Sequence, residues 1–154
     1  MGAVLTPALA AFVHHALAFI LFAAVMVQLV LLREPPTIST ARSILRMDAV
    51  YGISATLLLV VGFIRVLHTE KGAGYYFQSA PFIAKLSLFL AVGLISIYPT
   101  LKFRSWRKAL ASGAAPSVEP EQHRKLKLMI HTELTLLVII MLCAALMSRG
   151  IGML

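Results

Sequence analysis

LTPALAAFVHHALAFILFAAVMVQLVLL, running from Leu5 to Leu32, contains no Asp, Glu, Lys or Arg. A helix needs roughly 20 apolar residues to cross the hydrocarbon core of a bilayer, and this stretch has enough. It lacks the basic leader of a signal peptide and exceeds the length of a signal peptide's apolar core, so it reads as a retained span. Arg33 and then Pro35 and Pro36 in EPPTIST end it, because consecutive prolines cannot continue a helix.

Three further segments repeat the pattern: about Ile44 to Leu67, about Pro81 to Leu101, and about Leu126 to Met147, which closes on SRGIG. TEKGAGYYFQSA between the second and third is expected as a loop, with Gly72 and Gly74 as breakers. Sixty per cent of the 154 residues are hydrophobic and 13% are charged, so the solvent is lipid. The expected fold class is an all-α integral membrane protein: one domain over 1–154, built as a four-helix transmembrane bundle.

The net charge is +8, and the bases gather at the ends of apolar runs. KFRSWRKALASGAAPSVEPEQHRKLK carries Lys102, Arg104, Arg107, Lys108, Arg124, Lys125 and Lys127. The positive-inside rule makes this connection (102–125) cytoplasmic. Arg33, Arg42 and Arg46 flank the first connection, which lies on the same side. Both termini then face outward, with Lys71 and Arg149 as exceptions to the charge bias. Trp106 is expected at the cytoplasmic interface. Glu119 and Glu121 stand before the fourth helix, where the positive end of its dipole favours acids. No nucleic-acid motif accompanies the bases, so nucleic acid is not an expected partner. Cys143 is the single cysteine and there is no CxxCH, which removes an internal disulfide and covalent haem attachment.

Polar side chains are expensive in lipid and mark function or helix contacts. They fall in two layers. The outer layer holds His14, His15, Arg65, His68 and Lys85, with no carboxylate inside a span. The inner layer holds Gln28, Asp48, Tyr51, Tyr98, His131 and Glu133, with Arg46 near in depth. The inner acids can serve as helix glue by bonding Arg46, Gln28 and Tyr98. In the outer layer, Lys85 and Arg65 can snorkel to the surface. Two histidines beside two cations also suit a b-type haem, whose iron takes imidazole and whose propionates take Arg or Lys.

Zinc or copper is the competing metal for His14 and His15. Adjacent helical residues point about 100° apart, so one ion rarely takes both, and a closed zinc site wants four ligands. HTE at 131–133 echoes the H-x-E of zinc deaminases without their two cysteines. The face of His14 carries Ala18, Leu21, Val25 and Gln28, whereas that of His15 carries Phe19, Phe22 and Met26. Small and polar residues favour a bundle interior, which points His14 inward.

HHALAF, DAVYGISATLLLVVGFIRV with KGAGYYF, PFIAKLSLFLAVGLISIYPTLKF, HTELTLL and ALMSRGIG together resemble a bacterial membrane family known as domain of unknown function 2214. More distantly, the order of features resembles the HemJ-type protoporphyrinogen oxidases, small helical proteins that bind haem b. Their early histidine is matched by His14 or His15, and their Lys-Leu in the third span by Lys85-Leu86. Of their Asn-Glu-x-Pro signature only Glu133 is present, and Tyr98 is followed by Pro99 where they tend to carry Tyr-His. These resemblances imply a multi-pass protein of a bacterial inner membrane.

Three functions stay open. The first is a haem b redox protein acting on a porphyrinogen or a quinol, or simply passing electrons. Its ligand would be His14 or His15, with Lys85 or His68 opposite and Arg65 on a propionate. The second is a proton- or ion-translocating protein using Asp48 and Glu133, which four helices serve best as a homo-oligomer. The third is a non-catalytic partner subunit whose basic loop docks a protein or anionic lipid.

Overall fold

The structure, a computed structural model, describes residues 2–69 and 73–152. In chain order its helices are α1 (Gly2–Leu31), α2 (Ile38–Ile64), α3 (Ala73–Phe77), α4 (Ala80–Ser105), α5 (Arg107–Ala111) and α6 (Pro120–Ser148). α1, α2, α4 and α6 are each long and apolar enough to cross a membrane, α2 continuing through a π-helical turn at Arg65–Thr69. Two spans start earlier than hydropathy suggests, because helices continue past the lipid into polar sequence. α2 opens at a capping box: Thr37 Oγ1 accepts from the Thr40 amide at 3.2 Å, and Thr40 Oγ1 accepts from the Thr37 amide at 2.8 Å. α6 starts at Pro120, whose missing N–H is no loss in a first turn. α4 likewise runs on to Ser105, through the buried Pro99. Of the expected glycine breakers, Gly72 lies outside the described residues with Glu70 and Lys71, and Gly74 sits inside the short helix α3.

α1 packs along α2, and α4 along α6, as two antiparallel hairpins. The hairpins meet through α1 and α6 and, more sparsely, through α2 and α4. Both termini therefore share one end of the bundle, and the basic connections share the other. At the basic end Phe103, Leu126, Ile44 and Leu32 form a closed core. Trp106 follows α4 at this end and is buried against Phe103 with ring centroids 5.1 Å apart. His123 ties the start of α6 to the end of α1, its Nε2–H donating to the Leu32 carbonyl at 2.8 Å.

At the terminus end SRGIG folds back on α4. Gly150 and Gly152 take positive φ angles of 69° and 80°. The Ala80 amide donates to the Gly152 carbonyl at 2.9 Å. A Cβ on Gly152 would stand 2.8 Å from Pro81 Cδ, so only glycine fits this turn. Just before it, Met147 packs on Val66, Tyr76 and Phe82. The outside of the bundle is apolar, with Phe12 and Phe19 at 70% and 75% exposure, as lipid requires.

Candidate functional site

The sparse α2/α4 seam opens in two places. At the terminus end a cavity is lined by His14 from α1, Leu58, Gly62, Arg65 and Val66 from α2 and its π-turn, Tyr76 from α3, Phe82, Lys85 and Phe89 from α4, and Met147 from α6. π-Turns recur at functional sites because they re-aim side chains, and this one carries Arg65 and Val66 into the lining. The cavity measures about 120 Å³. Small-molecule sites run to about 300–1,000 Å³, so a ligand of that size requires the helices around the cavity to part.

His14 is half-buried and its Nδ1 has no hydrogen-bond partner. Space beside that nitrogen exists because residue 62 is glycine: a Cβ there would come within 3.3 Å of His14 Cε1 and 3.7 Å of Nδ1. A ring nitrogen free of a partner is the form in which histidine binds a metal or moves a proton. Arg65 and Lys85 complete the polar side of the cavity, and the Lys85 ammonium lies 5.4 Å from the centre of the Phe82 ring. No carboxylate lines the cavity among the described residues.

At the basic end the same seam forms an open groove lined by Asp48, Tyr51, Gly52, Ser96, Thr100 and Arg104, among others. Thr100 Oγ1 donates to Asp48 Oδ1 at 2.7 Å, so a hydroxyl from α4 holds the acid. The expected partners Arg46 and Tyr98 do not. Arg46 is exposed, and Tyr98 lies under two ammonium groups, Lys125 at 4.4 Å and Lys102 at 5.8 Å from its ring centre. Glu133 does not line the groove; it is 1% exposed, lies close enough to Asp48 and Tyr51 to act on both electrostatically, and has no partner for Oε1. The proposed inner cluster is therefore smaller than its sequence version. Asp48, Tyr51 and Glu133 come together. His131 is exposed on the outside of α6, and the buried Gln28 leaves its Nε2 without a partner.

His15 is exposed, and its ring stands nearly perpendicular to that of His14 with centroids 6.0 Å apart. The inward face of α1 carries Leu21, Val25 and Gln28, all buried, in line with His14. The His68 side chain lies outside the described residues, although its backbone belongs to the π-turn. Among the described residues no group of three His, Cys, Asp or Glu side chains is placed to hold a metal ion, so a closed zinc site is not formed there. Sequence reasoning passed over Gly62, Ser96 and Thr100. Ser96 and Thr100 were legible as an i, i+4 polar pair in an apolar helix; Gly62 carries no chemistry of its own and becomes visible only when α1 is laid against it.

The family described as "Predicted membrane protein (DUF2214)" matches residues 6–152. No curated protein and no solved structure matches the chain. With nearly the whole sequence covered and four spanning helices in place, this multi-pass membrane protein belongs to the DUF2214 family.

Proposed function

We propose that the chain is a haem b-binding redox protein of a bacterial inner membrane, with its haem at the terminus end of the α2/α4 seam. The observation that carries this is the half-buried His14, whose partnerless Nδ1 lines an apolar, aromatic cavity together with two cations. His14 would supply the axial nitrogen, and Arg65 and Lys85 the charges for the propionates. A bound haem b supplies one-electron exchange at its iron. The protein's own part is to orient the imidazole across Gly62, to exclude water with Phe82, Phe89 and Leu58, and to balance anionic groups with Arg65 and Lys85.

The donor set fits a haem; the cavity of about 120 Å³ is too small for one as it stands, so binding requires α2 and α4 to part. The test is optical. The protein is produced with haem precursors supplied, purified in mild detergent, and recorded oxidised and dithionite-reduced. A stoichiometric Soret band that sharpens on reduction, survives His15→Ala and vanishes in His14→Ala is expected. A colourless protein after full haem supply removes haem from the cavity.

A further inference from the structure

The basic-end half of the seam carries a second chemistry that takes nothing from the haem site. Glu133 is 1% exposed, within a spanning helix, and its Oε1 has no hydrogen-bond partner. Helix glue pairs its polar atoms, and this oxygen, like Gln28 Nε2, is left unpaired. An intramembrane carboxyl group without a pairing cation has one inexpensive chemistry, the uptake and release of a proton. Such a group still needs a route to water, and Asp48 provides it. Asp48 lines the open groove, 8% exposed, with Thr100 fixing Oδ1, and it neighbours Glu133 electrostatically. Tyr51 is the other titratable group facing the pair, and it approaches Ser96 of α4 across the seam. Arg104 on the groove and Arg107 beyond it are the cations that act on Asp48.

We propose that Glu133 is a proton-exchange site, loaded and unloaded through Asp48 from the groove between α2 and α4. In each release the Glu133 O–H bond breaks as a water molecule takes the proton and passes one on to a carboxylate oxygen of Asp48, which hands it to water in the groove. The reverse steps restore the Glu133 carboxyl group, and no electron moves. The ligand is the proton. A hard monovalent cation among the same oxygens is the competing occupant, which the test separates.

The full-length protein in detergent is treated with dicyclohexylcarbodiimide, which adds to protonated carboxyl groups in apolar surroundings, and the modified peptides are located by mass spectrometry. Glu133 is expected to carry the label, with a yield that falls at least about five-fold as pH rises and the carboxyl group ionises. In Asp48→Asn the pH midpoint of labelling moves, because coupled carboxyls titrate as a pair; in His14→Ala it stays. An unlabelled Glu133 in protein with intact helical circular dichroism overturns the assignment, as does a yield indifferent to pH. Protection of Glu133 by sodium chloride but not by choline chloride replaces the proton with a cation. Because the label is read on the colourless protein, its failure and that of haem binding are scored separately.

Discussion

Arg65, Lys85 and His14 share the terminus-end cavity, with no carboxylate among the described residues of its lining, whereas the basic-end groove of the same seam presents Asp48, Tyr51, Ser96, Thr100 and Arg104 with Glu133 behind them. Asp48 and Gly62, which mark the two openings on α2, stand about 21 Å apart along a straight helix. Between them α2 lays Leu57 and Leu58 into the seam. Polar residues that merely fastened helices together would bring cations and acids face to face. Here the groove sets Arg104 in the same lining as Asp48, yet the hydroxyl of Thr100 is what bonds the acid across it. The different linings of the two openings predict that each can be perturbed without the other.

The largest expected effect is a double dissociation. His14→Ala lowers haem retention at least about a hundred-fold, as loss of an axial ligand should, and leaves the carbodiimide yield at Glu133 unchanged. Glu133→Gln abolishes that label and leaves the Soret band in place. If either substitution disturbs the other site's signal while circular dichroism stays native, the two halves are one coupled unit and the comparison breaks.

Glycine substitutions sharpen the same contrast. Gly62→Val forces a side chain into the 3.3 Å approach to His14 and is expected to destabilise the α1/α2 hairpin by about 1–3 kcal/mol, as overpacking does, with loss of haem. Gly93→Ala meets nothing within 4 Å and should stabilise α4 by about 0.5–1 kcal/mol through helix propensity. Denaturation in mixed micelles, followed by circular dichroism, reads both signs. A neutral Gly62→Val would mean that the approach of α1 to α2 is slack and that His14 is not held against the cavity. Gly152→Ala comes next: an L-residue at its φ of 80° costs about 1–2 kcal/mol, and its Cβ would meet Pro81. That loosens the turn behind Met147, so faster trypsin cleavage at Arg149 and weaker haem retention are expected, with Glu133 labelling unaffected.

Four spans were legible because lipid demands long apolar runs and tolerates few exceptions, and the two layers of polar residues followed from depth alone. The inward turn of His14 was legible as well, since Leu21, Val25 and Gln28 lie on its face of α1. What the sequence hid is lateral placement. Depth put His131 and Tyr98 beside Asp48, but a helix spreads residues of similar depth around its whole circumference. His131 falls on the outside, and Tyr98 under Lys102 and Lys125. Thr100 was legible as half of a polar pair with Ser96, but its partner was not. It is an ordinary residue in an apolar helix until α2 and α4 are set against each other and its hydroxyl meets Asp48.

Thr100→Val carries the smallest expected effect and the finest distinction. Valine keeps the shape and removes the hydroxyl that donates to Asp48 Oδ1 at 2.7 Å. Interhelical hydrogen bonds in membranes average about 0.6 kcal/mol and reach about 1.7, so a loss of about 1 kcal/mol is expected in the same micelle denaturation. A double-mutant cycle with Asp48→Ala, which removes the acceptor, should return a coupling energy of that size. A coupling well above about 2 kcal/mol would make the pair a strut between α2 and α4, built for rigidity rather than for proton traffic. A coupling near the expected value, with the pH midpoint of Glu133 labelling displaced and the Soret band untouched, would support Thr100 as the residue that positions Asp48 Oδ1 for the proposed proton exchange.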